Sequence, residues 1–143
     1  MWNKIQQRSW EEVFLAIEAL VSLMAFSLAI RLLPFRQIAR LCGLSTAGSN
    51  TPLAESSGPL EERVGWAVAA AGRRRKPAFS CLAQALTGAM MLKRRGIPAV
   101  VYLGVDRSRM PIQAHAWLQC GNRILTGEAG REQFRAVGMY HTM

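Results

Sequence analysis

Hydrophobic and polar positions change rhythm twice along this chain, and each change marks a different kind of element. Residues Val13 to Ile30 (VFLAIEALVSLMAFSLAI) are almost unbroken apolar sequence, interrupted only by Glu18, Ser22 and Ser27. Ser9 followed by Glu12 has the spacing of a capping box, which places a helix start there. Glu11, Glu18 and Ser22 share one helical face and leave a broad apolar surface opposite. Eighteen apolar residues approach a membrane span, but a carboxylate in hydrocarbon costs a few kcal/mol. The run therefore reads as a buried or partner-docking helix. A signal peptide fits less well, because acids precede the run and no clear cleavage site follows.

Helical spacing continues through three further segments. LPFRQIARLCG is a short amphipathic piece entered at Pro34 and ending at Gly43. Residues 46–59 are small and polar with two prolines, the composition of a surface loop. Pro59 opens LEERVGWAVAAAG, with Glu61 and Glu62 in the first turn, where the helix dipole favours acids. Arg73, Arg74, Arg75 and Lys76 then form a basic run. From Pro77 to Gly96, PAFSCLAQALTGAMMLKRRG predicts a helix with Ser80 as N-cap, Cys81 in the first turn and Gly96 as the stop.

Beyond Gly96 the period becomes extended. Pro98 to Val105 (PAVVYLGV) and Ile112 to Cys120 (IQAHAWLQC) read as strands, and Asn122 to Thr126 as a third. Arg107 to Pro111 is a turn, and Cys120-Gly121-Asn122 closes a hairpin. The tail from Gly127 is expected to hold a short helix. The predicted class is α+β: a helix carrying Cys81 packed on a small antiparallel sheet, with an N-terminal helical segment. Residues 1–45 form that segment, 46–59 a loop and 60–143 the core, within one compact domain.

Composition narrows the function. The chain has 143 residues, half of them hydrophobic, which excludes wholesale disorder. Its net charge of +9 suggests an acidic partner. Nucleic acid is disfavoured, because the basic run lacks interleaved aromatics. Three cysteines without a CxxC pair argue for a reducing compartment, the cytoplasm, and against a disulfide framework or a zinc site. A peripheral membrane contact through the first helix stays open. No cofactor is implied.

Cys81 and His115 are the candidate chemistry. A helix start offers unpaired N–H groups and a positive dipole end that favour a thiolate. A cysteine nucleophile also needs an imidazole to carry its proton and a polar group to orient that ring. Only His115 and His141 are available, and His115 lies in a strand following the cysteine helix. Glu128, just past the third strand, is the candidate orienter, with Asn122 and Asp106 as alternatives. Gln84, one turn after Cys81, is placed to add a hydrogen bond near the sulfur.

SCLAQALTGAMMLKRRGIPAVVYLGVDR, followed by AHAWLQCGNRILTGE, resembles the lasso-peptide leader peptidases, the C-terminal half of the microcin-processing protein B family. The shared pattern is a Ser-Cys-Leu helix start, an Arg-Arg-Gly-Ile-Pro exit, a Gly-Val strand end and a His-Ala-Trp strand, over roughly residues 60–130. The apolar first helix with Leu33-Pro34-Phe35-Arg36 looks like the N-terminal part of the split form. The resemblance implies a transglutaminase-like, papain-like cysteine protease core with a catalytic triad of Cys81, His115 and Glu128. It implies a substrate too: a ribosomally made precursor peptide, cut between leader and core. A separate leader-binding recognition protein and an ATP-dependent macrolactam synthetase are the implied partners. The rival reading is a non-catalytic basic scaffold that docks a partner or membrane through the apolar helix.

Overall fold

A computed structural model describes residues 2–46, 58–73, 80–108 and 110–142. The loop expected at 46–59, except its two ends, and the basic run beyond Arg73 lie outside the described residues, as do Pro77 and Phe79.

Helix α1 spans Trp2–Leu32. It runs through Ser9 instead of starting there, because Lys4, Gln6, Gln7 and Arg8 are good helix formers and no glycine or proline interrupts them. Pro34 separates it from α2, Phe35–Cys42, which stops at Gly43 in the left-handed conformation. Helix α3 covers Pro59–Gly72 with Glu61 and Glu62 in its first turn, and α4 covers Cys81–Arg94. These bounds follow the capping and breaking residues closely.

The strands are β1 (Leu44–Ser45), β2 (Val100–Asp106), β3 (Gln113–Cys120), β4 (Arg123–Thr126) and β5 (Arg135–Thr142). They form one antiparallel sheet in the order β1-β5-β2-β3-β4. The tail is thus mainly strand, with a single 3-10 turn at Arg131–Gln133 before it. Local pattern concealed β5, since Arg135, Ala136, Val137 and Met139 are all exposed. Its pairing with β2 and β1 is what holds it extended.

Helices α3 and α4 cover one face of the sheet, and α1 packs on those two helices. Val101, Ala116, Leu118 and Cys120 turn toward them and join Leu23, Val64, Val68, Met91 and Leu92 in one core. Contact between α4 and β3 is close. A Cβ added at Gly88 would stand 2.6 Å from Leu118 Cδ2, so the glycine lets the helix lie against the strand. Polar ties fix α1: Glu18 binds both Arg94 and Arg95, and Glu11 binds Arg63 at 3.0 Å. Arg123 pairs with Glu62, joining β4 to α3.

Candidate active site

Ser80 caps α4, its Oγ accepting from Ala83 N–H at 3.1 Å. That single bond satisfies one donor of the first turn. The N–H groups of Cys81 and Leu82 have no acceptor among the described residues, the unpaired state expected at a helix start. The Cys81 side chain is half-buried against the core, and its sulfur makes no hydrogen bond among the described residues. The other two thiols differ. Burial pushes the Cys120 thiol up, with Glu61 adding to the effect, and Cys120 Sγ contacts the Pro98 carbonyl. Burial also pushes the Cys42 thiol up, partly offset by Lys93, whose ammonium donates to the Cys42 carbonyl at 2.7 Å.

His115 stands opposite Gly104 in the β2–β3 ladder. Its ring lies 4.9 Å from the Phe134 ring and 6.1 Å from that of Trp117. Trp117 stacks in turn on Tyr102, and the Arg131 guanidinium stands over its indole. Nε2 of His115 is 2.7 Å from the backbone carbonyl oxygen of Gly127. A carbonyl can only accept, so Nε2 carries the proton, and in the neutral ring Nδ1 presents its lone pair. Only glycine fits at 127. Its φ is +75°, and a Cβ there would come within 2.5 Å of the Ala116 carbonyl.

Topology sets the two candidates at one level of the molecule. The chain leaves α4, enters β2 and runs back, so β3 runs in the same sense as α4. Gly88 lies beside Leu118. Seven residues back along a helix is about 10 Å, which reaches Cys81; three residues back along a strand is also about 10 Å, which reaches His115. His115 alternates with Ala116 and Leu118, so its ring belongs to the sheet face that carries Tyr102 and Trp117. Strand β4 pairs only with Leu118, Gln119 and Cys120. Helix α4 packs on the opposite face, the one that carries Ala116 and Leu118. No hydrogen bond joins the two side chains among the described residues.

The other candidates separate by position. Glu128 directly follows the carbonyl that holds His115; its carboxylate is exposed and makes no bond among the described residues. Asn122 sits in the hairpin turn at the far end of β3, and Cys120 at that end is five residue steps, about 17 Å, from His115. Asp106 is buried at the end of β2, and one of its carboxylate oxygens takes both the N–H and the hydroxyl of Ser108. Gln84 lies against Gly72 at the end of α3. Among the described residues no group of His, Cys, Asp and Glu is gathered to hold a metal ion.

What sequence reasoning missed is the Gly127 carbonyl, together with the Phe134–Trp117 setting of the imidazole. A backbone acceptor carries no side-chain signature; the glycine in Thr126-Gly127-Glu128 was the one available hint. A cleft of about 520 Å³ opens where β2 ends beside the start of β5, lined by Val105, Asp106, Arg107, Gln133, Arg135 and Val137.

The family model described as the transglutaminase-like superfamily matches residues 20–139. No curated protein and no solved structure matches the chain.

Proposed function

This chain belongs to the transglutaminase-like superfamily, and on that premise we propose that it is a cysteine peptidase that removes the leader from a lasso-peptide precursor. The superfamily includes both cysteine proteases and transglutaminases. In the proposed reaction Cys81 attacks the carbonyl at the leader–core junction while His115 accepts the thiol proton through Nδ1. The N–H groups of Cys81 and Leu82 stabilise the oxyanion. His115 then protonates the leaving amine, and the thioester is hydrolysed by a water that the same imidazole deprotonates.

The observation that carries this reading is the His115–Gly127 bond, which leaves Nδ1 available at the level of an α4 start whose first N–H groups have no acceptor among the described residues. Productive geometry requires Sγ and Nδ1 to come within hydrogen-bond reach, a step the proposal assigns to substrate binding. Glu128 is proposed as the third member, acting on the ring from beside the Gly127 carbonyl. Arg94 and Arg95 are committed to Glu18. Arg107 and Arg135, lining the cleft, are the proposed surface for an acidic leader. The separate recognition protein and the macrolactam synthetase complete the proposed pathway.

The test mixes the purified chain with a candidate precursor, with and without the recognition protein, and weighs the products. Cleavage at the leader–core junction by the native chain, lost in Cys81→Ala and in His115→Ala, is the expected outcome. Undiminished cleavage by folded Cys81→Ala would refute the mechanism.

A further inference from the structure

Every exposed residue of α1 between Val13 and Ile30 is apolar. They fall on one side of the helix, from Phe14 (66 % exposed) through Ile17, Val21 (61 %), Met24 and Leu28 (59 %), with Trp10 before them and Leu32 (70 %) after. At 1.5 Å per residue the stripe from Trp10 to Leu32 is about 33 Å long. A soluble monomer rarely leaves so continuous an apolar face in water.

We infer that this face docks the chain onto an anionic lipid bilayer, with α1 lying in the membrane plane. Residues 10–32 are long and apolar enough to cross a membrane, but the packing of α1 decides against crossing. Leu15, Ala19 and Leu23 are buried in the core, and Glu18 holds Arg94 and Arg95 at the end of α4. A spanning α1 would carry that ion cluster and its neighbouring helices into hydrocarbon. Lying flat, the helix sinks only its outer stripe and leaves the charges on the watery side.

Two observations favour lipid over a protein partner. Protein interfaces carry about one hydrogen bond per 100–200 Å², and the exposed residues between Val13 and Ile30 have no polar side chain to make one. Acyl chains need none. Charge points the same way. From Ala19 to Ala54 the sequence has no acid, and Arg31, Arg36 and Arg40 along it are exposed. These arginines complement anionic headgroups at the α2 end of the stripe, while Glu11 and Glu12 mark the other end.

The test is co-sedimentation of the full chain with phosphatidylcholine vesicles, with and without phosphatidylglycerol, alongside a Val21→Glu/Met24→Glu variant. Circular dichroism checks that the variant is folded, and gel filtration gives the size of both proteins. Expected are capture by the anionic vesicles, weaker capture by neutral ones and by added salt, and roughly tenfold or greater loss in the variant. Failure of the native chain to sediment, or equal sedimentation of the variant, overturns the inference. So does a variant that falls from dimer to monomer with vesicle capture unchanged, which would make the stripe an interface between copies. If the variant does not fold, Arg36→Gln/Arg40→Gln takes its place, and unchanged capture by anionic vesicles then overturns it.

Discussion

His115 donates through Nε2 to the backbone carbonyl of Gly127 at 2.7 Å, twelve residues further along the chain. This bond sets the tautomer of the imidazole and the direction of its free lone pair. A main-chain atom therefore already fills part of the orienting role expected of a side chain.

Gly127→Ala should disturb that arrangement without touching either proposed reacting group. The left-handed φ and the close Ala116 carbonyl oppose a Cβ there, and such strain is worth about 1–3 kcal/mol. The expected result is a lower melting temperature and a leader-cleavage kcat reduced more than KM is changed. Wild-type kcat in this variant would remove the Gly127 carbonyl from the mechanism.

Glu128→Ala should slow cleavage far less than His115→Ala, whose loss is expected at about 10²–10⁴-fold, the range for a general base. The Glu128 carboxylate is exposed and makes no bond among the described residues, so any orienting action is exerted in water. Rates measured side by side at one pH decide the point. An unchanged rate in Glu128→Ala would leave the carbonyl as sole orienter.

Cys81 should be the first of the three cysteines to react with iodoacetamide in the folded chain. Burial raises the thiols of Cys42 and Cys120, which lowers their thiolate fraction at neutral pH. Peptide mapping by mass spectrometry after brief alkylation gives the order. Labelling of Cys42 or Cys120 ahead of Cys81 would contradict it.

Glu18 makes folding sensitive to acid. The hydrogen bond from Arg95 lowers its folded pKa against the opposing effect of burial, and the charges of Arg95 and Arg94 lower it further. A depressed folded pKa contributes stability that is fully present above the unfolded value and is lost as the pH falls through the folded one. Glu18→Gln should therefore destabilise the chain near neutrality, by roughly 1–2 kcal/mol for a partly exposed charged pair. The deficit should shrink as the pH falls through the carboxylate range. Urea titrations of both proteins at several pH values test this; a deficit independent of pH would exclude the linkage.

By itself, the sequence determined the elements whose signals are local. Ser80, Gly96, Pro34, Gly43 and Pro59 set helix ends because caps and breakers act within a turn. The β-branched run before Asp106 and the Gly121-Asn122 turn marked the β2–β4 region for the same reason. Cys81 and His115 stood out because few residue types can do their chemistry and the chain has few of each. Tertiary structure alone decided the rest. Strand β5 exists because distant backbone partners pair with it, and its own side chains give little sign of it. The direction of α1 followed from Glu18 meeting two arginines 76 and 77 residues away. The partner of His115 is a carbonyl, and every residue has one, so only folding could select which carbonyl stands there.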